Sequence, residues 1–498
     1  MDQEWHRQLY AAFKSKDSRF DGRFFVGVTS TGIYCRPVCR ARMPREEHCV
    51  FFATAAQAEK AGFRPCLTCR PEIAPGLSVT DAKASLASRA AKLIGETCQD
   101  DDSLEALAQA LGCTGRHLRR VFQEAYHVSP VEYRQTCRLL LAKGLLTDTG
   151  LTVTEVALAA GFGSLRRFHD LFLRQYRLPP LAFRRQIGAK KQKESGVTVA
   201  LGYHPPYEWA RILRFLAQRA IPGVEAVTED EYRRVVRLNR PNGDAVLGWI
   251  RVRNRAEKSV LAVTLSENLL PVLPRLLGRV RDLFDLGCDP HAVAETLAAM
   301  NCLRPGIFVC GIRVPGCVDP FELCVRTILG QQIAVKAASA LAGRVAAALG
   351  TPVESGVEGL SCAFPTPEAI LALGESAGER LGALGVIAAR TGAIFALARR
   401  FAEHPIDWTL CADPEAEMAQ LCQIKGIGPW TAKYIAMRAM KWTDALPETD
   451  LGIRRALDGR TSQEILALSE AWRPWRSYAT MALWDAPPQN ASDKEGQK

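Results

Sequence analysis

Apolar residues recur at helical spacing over two similar stretches of the chain. Residues 103–122 read as a short amphipathic helix, a glycine turn and a second helix rich in arginine. Residues 151–168 repeat this arrangement, and Thr152 and Glu155 have the spacing of a capping box at the start of a helix. A long helix is predicted between them, near residues 130–146. The doubled pattern predicts two helix-turn-helix units joined by one helix.

The pattern becomes extended after residues 188–196, a polar and charged stretch that we interpret as a linker. Four later stretches alternate in the manner of strands, namely 197–201, 232–238, 246–252 and 259–265. They predict a small antiparallel sheet with a helix over Trp209–Gln218 packed on it. From about Leu269 onward the pattern is almost wholly helical, and the tail at 487–498 is predicted to be disordered.

A chain of 498 residues is too long for one core and indicates roughly three or four domains. We predict a multidomain, mainly α protein. The predicted order is a small α+β four-cysteine zinc domain at 1–78, an all-α double helix-turn-helix DNA-binding domain at 82–187, the linker at 188–196, an α+β part made of a sheet-containing domain at 197–275 and a helical domain at 276–486, and the tail at 487–498.

The net charge of +11 is concentrated in the N-terminal part of the chain. Residues 1–200 hold 30 Lys and Arg against 20 Asp and Glu, whereas residues 201–498 hold 34 against 33. Within residues 111–200 the count is 15 against 6, the kind of local surplus that phosphate contacts need, although a solvated basic face would look the same.

No stretch approaches the ~18 uninterrupted apolar residues of a membrane helix, and the N-terminus has no basic segment followed by an apolar one. We therefore expect no membrane partner and a cytoplasmic protein associated with the bacterial nucleoid. In a chain without a secretory leader, the sixteen cysteines are expected to be zinc ligands and small buried residues rather than disulfides.

Four cysteines near the N-terminus have the spacing of a tetrathiolate zinc site. Cys35 and Cys39 form a C-x3-C pair, and Cys66 and Cys69 form a C-x2-C pair. Soft thiolates in two such pairs suit one tetrahedral Zn²⁺. On spacing alone, a zinc ion that only stabilises a small domain is the ordinary interpretation.

Residues 25–42 and 62–69 closely resemble the N-terminal domain of Ada-type adaptive-response proteins. The resemblance implies that Cys35 takes a methyl group from a methylated DNA phosphate and is consumed. The chemistry is reasonable, because a zinc-bound sulfur stays deprotonated and a methyl phosphotriester is uncharged, unhindered and has a stable phosphodiester leaving group. Methylation also removes one negative charge from a surface that faces DNA, so we expect DNA affinity to rise.

The two helix-turn-helix units, together with residues 176–185, resemble the DNA-binding domain of AraC-type regulators. Base-reading residues are expected on the second helix of each unit. The candidates are Thr114, Arg116, His117, Arg119, Ser164, Arg166, Arg167 and His169. Some of them are expected to contact phosphate instead, and the two histidines are equally compatible with an ordinary helix surface.

Residues 421–432 predict a helix, a hairpin with Gly426 and Gly428, and a second helix. Such glycines let the backbone approach a phosphate, which the N–H groups of the following helix then bind. Residues 446–457 follow and contain Asp450. Taken alone, the hairpin could be a structural turn and Asp450 a helix cap. Together they resemble the AlkA-type DNA-3-methyladenine glycosylases of the helix-hairpin-helix superfamily, which implies that Asp450 is catalytic.

In that chemistry an alkylated purine is already cationic and leaves readily, so the enzyme has to stabilise an oxocarbenium-like sugar after the nucleotide is flipped out. The resemblance implies a base pocket lined by Trp430, Tyr434 and Trp484, whose rings would select electron-poor bases. It also implies that Gln331 and Gln332 approach the flipped-out site, although some relatives carry leucine as the intercalating wedge at the position of Gln332.

The resemblance places Trp430 where backbone-cutting relatives have a lysine, so a monofunctional glycosylase is expected. No cysteine follows Cys422, and no iron–sulfur cluster is expected. The family also binds a monovalent cation through backbone carbonyls, here expected near Cys422, Ile424 and Ile427. No Pro-Cys-His-Arg motif is present, so O6-alkylguanine transfer is expected to be absent.

The favoured hypothesis is a bifunctional alkylation-response protein, a methylation-activated transcription factor joined to a glycosylase for purines such as 3-methyladenine and 7-methylguanine. Its expected partners are damaged and promoter double-stranded DNA and RNA polymerase. The alternative is a methylation-responsive regulator whose C-terminal part binds DNA with little catalysis.

Overall fold

The computed structural model describes residues 3–75, 86–100, 102–187, 196–240, 242–403, 408, 411 and 413–486. The chain separates into two compact units. The first combines Met1–Pro205, Arg237–Arg281 and Leu286–Cys288, and the second combines Pro206–Val236, Asp282–Asp285 and Asp289–Lys498. Apart from Gly196, the predicted linker lies outside the described residues, as does the predicted tail.

The first unit begins with a small α+β domain. Its elements are α1 (Gln3–Ser15), β1 (Phe25–Val28), β2 (Ile33–Cys35), β3 (Cys49–Phe52), α2 (Ala55–Lys60) and β4 (Arg64–Pro65). The strand order is β3-β1-β2-β4, antiparallel except for the parallel pair β2 and β4. Val26 and Phe51 pack on one face of this sheet, and Phe25 and Tyr34 pack on the other. Both faces are therefore covered, which fixes the register of strands this short.

An all-helical segment follows. It consists of α3 (Leu86–Glu96), α4 (Leu104–Ala110), α5 (Gly115–Tyr126), α6 (Pro130–Asp148), α7 (Val153–Ala159), α8 (Leu165–Tyr176) and α9 (Pro180–Ile187). The predicted long helix is α6, and the predicted capping box of Thr152 and Glu155 is present at the start of α7. Gly112 and Gly161 adopt positive φ angles of 71° and 80° at the turns before α5 and α8. Glycine is the residue that these left-handed turns favour.

The sheet-containing segment begins with β5 (Val197–Gly202), α10 (Trp209–Arg219), β6 (Glu225–Val227), β7 (Glu231–Asn239), β8 (Ala245–Arg255), β9 (Val260–Leu265) and α11 (Leu273–Leu283). The four predicted strands and the predicted helix are present, and β6 is an additional short strand. In the first unit, β9 pairs antiparallel with both β5 and β8, and Val263 is opposite Val199 and Val252. In the second unit, β6 pairs antiparallel with β7.

Within the first unit, β5 packs closely on the N-terminal domain. A Cβ atom at Gly202 would lie 1.9 Å from the carbonyl oxygen of Ile73, so no larger residue fits without a backbone shift. The side-chain amide of Gln99 donates hydrogen bonds to the carbonyl oxygens of Ala159 and Leu270, the latter at 2.9 Å. The cysteine domain, the second helix-turn-helix unit and strands β5, β8 and β9 therefore belong to one compact body.

The rest of the second unit is helical apart from one short strand pair, β10 (Thr351–Pro352) with β11 (Cys362–Ala363). Its helices are α12 (Pro290–Leu297), α13 (Pro320–Leu329), α14 (Val335–Leu349), α15 (Pro367–Leu371), α16 (Ala377–Ala383), α17 (Ala388–Glu403), α18 (Pro414–Cys422), α19 (Pro429–Arg438), α20 (Leu451–Ala456), α21 (Ser462–Ser469) and α22 (Arg476–Trp484). The central helix is α13, where buried Glu322 pairs with Arg234 at 2.7 Å. Among the described residues, no helix combines the length and the apolar character needed to span a membrane.

Candidate functional site

The parallel pairing of β2 and β4 brings the two cysteine pairs together. Tyr34 is opposite Pro65, so Cys35 and Cys66 leave the sheet side by side, and the amide of Cys66 donates to the carbonyl of Tyr34 at 2.9 Å. Each pair then turns back on itself and adds Cys39 and Cys69. The four sulfur atoms all lie within 4.8 Å of one another. The four predicted metal ligands therefore form one cluster.

The donor set of this cluster fits a tetrahedral zinc ion. Cys35, Cys39 and Cys66 are buried and Cys69 is partly buried. Hydrogen bonds among the thiols lower the pKa of Cys39 and Cys66 and raise the pKa of Cys35 and Cys69, because sulfurs this close cannot all be thiolates without a cation. A divalent ion that accepts four soft ligands removes this conflict.

The guanidinium groups of the arginines next to the cysteines bind carboxylates, whereas the backbone amide of Arg36 donates to the sulfur of Cys69 at 3.3 Å. Arg36 donates from Nε to Asp21 at 2.8 Å. Arg70 forms a bidentate pair with Asp148 at 2.6 and 2.7 Å and also donates to Glu72 at 2.9 Å. Asp148 is the last residue of α6, so Arg70 links the cysteine cluster directly to the helix that joins the two helix-turn-helix units.

A second link to α6 is a buried carboxyl group. Glu59 on α2 accepts a hydrogen bond of 3.0 Å from the hydroxyl of Tyr34, the residue before Cys35. Burial raises the pKa of Glu59 to about 8, even though Tyr34, Thr136 and Lys143 all favour its ionised form. Glu59 is therefore protonated at neutral pH in the folded protein.

The predicted base readers lie on the second helix of each helix-turn-helix unit. Thr114 and Ser164 are the N-cap residues, and their hydroxyl oxygens accept hydrogen bonds of 3.3 Å from the amides of His117 and Arg167. Seven of the eight are exposed, namely Thr114, Arg116, His117, Arg119, Ser164, Arg166 and Arg167. His169 is half-buried and its ring contacts Phe168 edge to face. The structure thus leaves both helices with a basic outer face, and their reading of bases stays a prediction.

The predicted hairpin lies between α18 and α19. Gly426 has a φ of 99°, and a Cβ atom there would lie 3.0 Å from the Cβ of Ala393. Gly428 is the N-cap residue of α19. Gln331 donates from Nε2 to the carbonyl of Gly426 at 2.8 Å and to the hydroxyl of Thr431 at 3.1 Å. Gln331 therefore supports the hairpin.

Gln332, the next residue, is exposed and adopts a left-handed backbone conformation with a φ of 56°. Gln332 lies in the segment between α13 and α14. The backbone carbonyls of Cys422, Ile424 and Ile427 lie at the hairpin, and the carbonyl of Ile424 accepts a hydrogen bond of 2.9 Å from the amide of Ile427. The wedge role of Gln332 and the cation site both stay predictions.

Asp450 is the N-cap residue of α20, and its carboxylate receives three N–H donors. Oδ1 accepts from the amide of Ile453 at 3.0 Å and from the indole Nε1 of Trp484 at 2.9 Å. Oδ2 accepts from the indole Nε1 of Trp430 at 3.0 Å. The capping interpretation and the catalytic interpretation are therefore compatible, since the cap uses only one lone pair of one oxygen.

All three donors to Asp450 are neutral. Among the residues that the structure describes, its carboxylate forms no ion pair, unlike the carboxylates of Asp21 and Asp148 near the cysteines. The negative charge is thus held in place without being cancelled. A group of this kind is suited to stabilising a positive charge that develops nearby in a transition state.

Tyr434 lies beside this carboxylate site. Its ring stacks on Trp430, with centroids 5.4 Å apart and an angle of 14°, and its hydroxyl accepts from Arg438 at 2.9 Å. Burial alone would raise the pKa of Tyr434, but the guanidinium groups of Arg438, Arg219 and Arg326 lower it to about 8. The three predicted pocket aromatics are indeed adjacent, since Trp484 lies 6.0 Å from Tyr434.

Three family models match successive parts of the chain. A model of the metal binding domain of Ada matches residues 8–72, a helix-turn-helix domain model matches residues 107–186, and a model of the AlkA N-terminal domain matches residues 198–319. A probable bifunctional transcriptional activator/DNA repair enzyme AlkA from Mycobacterium tuberculosis (strain ATCC 25618 / H37Rv) is 36% identical over 486 residues, which are 96% of this chain and 95% of the relative. This chain belongs to the bifunctional AlkA family.

Two proteins of Escherichia coli (strain K12) match the two parts of this AlkA family member separately. DNA-3-methyladenine glycosylase 2 is 36% identical over 284 residues, which are 57% of this chain and 95% of that protein. The bifunctional transcriptional activator/DNA repair enzyme Ada is 35% identical over 161 residues, 32% of this chain and 42% of that protein. The predicted fusion and its multidomain, mainly α class are confirmed.

Sequence reasoning missed several residues of this AlkA family member that support the two centres. Glu59 and Arg70 link the cysteine cluster to α6, and Gly452, Phe215 and Asp485 surround Trp484 in the other centre. Arg70 pairs with Asp148, which is 78 residues away, and Glu59 accepts from the buried hydroxyl of Tyr34. No local spacing in the sequence reveals either contact. Among these missed residues, only Gly452 could have been noticed locally, because it lies two residues after Asp450.

Proposed function

We propose that this protein is a methyl-accepting transcriptional regulator joined to a monofunctional DNA glycosylase for alkylated purines. The observation that carries the proposal is the carboxylate of Asp450, which is held by three neutral donors beside the stacked rings of Trp430 and Tyr434. Membership of the bifunctional AlkA family supports the combination of the two activities. Double-stranded DNA is the common partner of both.

In the glycosylase reaction, the alkylated base leaves with the electron pair of its C1′–N bond. Asp450 stabilises the positive charge that develops on the sugar. A water oxygen then bonds to C1′ and gives up one proton to the Asp450 carboxylate, which passes it on to solvent. Tyr434 and Trp430 favour a cationic base through their ring faces. The indole of Trp430 offers no amine for a Schiff base, so base release leaves the DNA backbone intact. Suitable leaving groups are 3-methyladenine and 7-methylguanine.

In the regulator, the sulfur of Cys35 forms a bond to the methyl carbon of a DNA methylphosphotriester. The C–O bond breaks and the phosphodiester leaves as an anion, so no proton has to move. The role of Zn²⁺, held by Cys35, Cys39, Cys66 and Cys69, is to keep the sulfurs deprotonated. The thioether product does not revert, which limits the reaction to one methyl group per chain.

Methylation lowers the negative charge of a cluster that the pair Arg70–Asp148 ties to α6. The basic faces of α5 and α8 then bind promoter DNA more tightly, and RNA polymerase is the partner through which binding would activate transcription. We also propose that the carbonyls at the hairpin hold a monovalent cation that strengthens its grip on a DNA phosphate.

Two variants separate the activities. Incubation of the full chain with methylated duplex DNA should release 3-methyladenine and leave about one methyl group on each chain. Asp450→Asn should slow release by roughly 10²- to 10⁴-fold and keep methyl uptake, because it removes the charge without changing the shape of the side chain. Cys35→Ala should abolish methyl uptake and keep release.

Each possible failure has a distinct meaning. Methyl uptake without base release from the unchanged protein would favour a pure regulator. Release that is unaffected by Asp450→Asn would remove that residue from catalysis. Methyl uptake that persists in Cys35→Ala would move the acceptor to another cysteine.

A further inference from the structure

The indole of Trp484 occupies a position at which several independent contacts meet. Its N–H donates to Oδ1 of Asp450, the oxygen that also accepts from the amide of Ile453. Trp484 is the last residue of α22, whereas Asp450 starts α20, so the two are brought together only by tertiary packing. The direction of the Asp450 carboxylate therefore depends on whatever fixes the indole.

The position of the indole depends first on Gly452, which has no side chain and so lets the indole and the carboxylate approach closely. A Cβ atom there would lie 3.0 Å from Oδ1 of Asp450 and 3.1 Å from Cδ1 of Trp484. Both distances are tighter than ordinary van der Waals contact, so a methyl group would push the indole and the carboxylate apart. Gly452 lies in the first turn of α20 with an ordinary helical φ, where glycine is usually unfavourable. Close packing against Trp484 explains why glycine is present.

The second fixing contact comes from α10. The ring of Phe215 is stacked on that of Trp484, with centroids 6.4 Å apart and an angle of 13°. Directly after Trp484, the carboxylate of Asp485 binds Arg211 and Arg214, each at 2.9 Å, one through each oxygen. Two turns of α10 thereby tie down the C-terminal end of α22.

These contacts matter because the indole lies beside an open cleft. Arg211, Arg214, Phe215, Trp484 and Asp485 line a cleft that is open to solvent. A side chain beside such a cleft can rotate into it once its restraints are lost. Packing on one face and an ion pair on the next residue are what keep the Nε1 atom directed at Asp450.

We propose that Gly452 and Asp485 are positioning residues for glycosidic bond cleavage. Gly452 leaves room for the indole of Trp484 beside the carboxylate of Asp450, and Asp485 acts on Asp450 through that indole. The proposal rests on the catalytic role of Asp450 in the proposed function. In this proposal neither residue contacts the base or the sugar. Their loss should lower the rate of bond cleavage and leave the affinity for DNA unchanged.

The first test is Gly452→Ala in the full chain, compared with Gly382→Ala. Gly382 is an exposed glycine in α16 with no atom within 4 Å of the position of a Cβ atom, so the control adds the same methyl group to a helix without a steric conflict. We expect single-turnover release of 3-methyladenine to fall roughly 10- to 100-fold in Gly452→Ala, about the value of one hydrogen bond to a charged acceptor. Release at the control rate would overturn the proposal.

A double variant distinguishes positioning from a general structural defect. If Gly452 acts through Asp450, Gly452→Ala should cause no further loss in an Asp450→Asn background, because residues that act as a unit are not additive. A further loss of the same size would show an independent effect and contradict the proposal. If Asp450→Asn alone retained release, the proposed function itself would fail, which is a separate outcome.

Asp485 provides a test that does not depend on the folding of Gly452→Ala. Asp485→Asn removes the charge that binds both arginines, and we expect a roughly three- to tenfold loss in the release rate, since partly exposed ion pairs are weak. Asp485→Glu keeps the charge and should restore most of the rate. The dissociation constant for undamaged duplex DNA and methyl uptake at Cys35 should be unchanged in both. An equal loss in the Asn and Glu variants, or a loss confined to DNA affinity, would refute the role of Asp485.

Discussion

The cysteine cluster and the Asp450 site are both negative centres, but the protein surrounds them in opposite ways. The four sulfurs come from two short segments, Cys35–Cys39 and Cys66–Cys69, and they need a metal cation to exist as thiolates together. The Asp450 carboxylate is held by N–H groups from Trp430 and Trp484, which are 54 residues apart in the sequence, and by the amide of Ile453. In the part of the chain that the structure describes, no positively charged side chain forms an ion pair with this carboxylate.

This difference matches the role that we propose for each centre. A sulfur that gives up an electron pair to a methyl group benefits from a cation that keeps it deprotonated until it reacts. A carboxylate that stabilises a transient sugar cation and is then reused must keep its full charge, which a paired arginine would cancel. The two centres therefore predict different responses to the same kinds of perturbation.

Removal of zinc should produce the largest contrast between the two centres. Structural zinc sites contribute about 10–16 kcal/mol of apparent binding free energy, so a chelator should abolish methyl uptake and unfold the small sheet around Cys35. Release of 3-methyladenine should persist, because no ligand of the Asp450 site depends on a metal. The measurement is methyl uptake and base release on the same chelated sample, with zinc added back as the control.

Loss of both methyl uptake and base release on chelation would contradict the proposed difference between the two centres. In the first unit Gly202 packs on the carbonyl of Ile73, just beyond the cysteines. A joint loss would mean that the folded state of the sheet formed by β5, β8 and β9 depends on the zinc domain.

The second prediction concerns Glu59, the buried carboxyl group on the cysteine side. Its folded pKa of about 8 is above its ordinary value of 4.5, so its contribution to stability is fully present below pH 4.5 and is lost as the pH rises to 8. Glu59→Gln stays neutral and keeps an oxygen to accept from Tyr34. At pH 7 it should raise the free energy of unfolding by about 3 kcal/mol, from the difference in pKa.

Chemical denaturation at pH 5, 7 and 8 measures this effect, and the gain should grow with pH. Glu124→Gln changes an exposed glutamate on α5 and should give no such trend. A gain that is constant with pH would mean that Glu59 is not protonated in the folded protein. Base release should be unaffected in either variant, which confines the effect to the cysteine side.

The comparison also explains which features could be predicted from the sequence. The cysteine cluster is encoded by spacing within 35 residues, and the helix-turn-helix units by apolar periodicity and caps such as Thr152 with Glu155. These are local signals, so the elements that carry them were predicted within a few residues. The short strand β6 was missed, because three residues are too few to establish an alternation.

The environment of Asp450 could not be predicted in the same way. The resemblance pointed to Asp450, Trp430 and Trp484, but it assigned the two tryptophans to the walls of a base pocket. Their indole N–H groups proved to be the donors that hold the carboxylate. Hydrogen bonds between side chains on three different helices depend on tertiary packing, and the sequence carries no pattern for them. The same holds for the pair between Arg70 and Asp148, which are 78 residues apart.

Trp430→Phe gives the third prediction, which has the smallest expected effect of these three. It keeps most of the ring that stacks on Tyr434 and removes only the N–H that donates to Oδ2 of Asp450. A hydrogen bond to a charged acceptor contributes about 2 kcal/mol. Single-turnover release of 3-methyladenine should therefore fall roughly 10- to 30-fold, whereas methyl uptake stays complete.

Trp408→Phe is the matched control for this change, because the indole of Trp408 also donates to a carboxylate, which is that of Glu417 at 3.2 Å and not that of Asp450. Both variants lose one indole–carboxylate hydrogen bond, so both should lower the free energy of unfolding by a similar amount, but only Trp430→Phe should slow base release. An equal loss of release in the two variants would mean that the tryptophans act through stability alone. The two centres would then differ only in which groups surround their negative charge, and the indole hydrogen bonds would have no specific effect on Asp450.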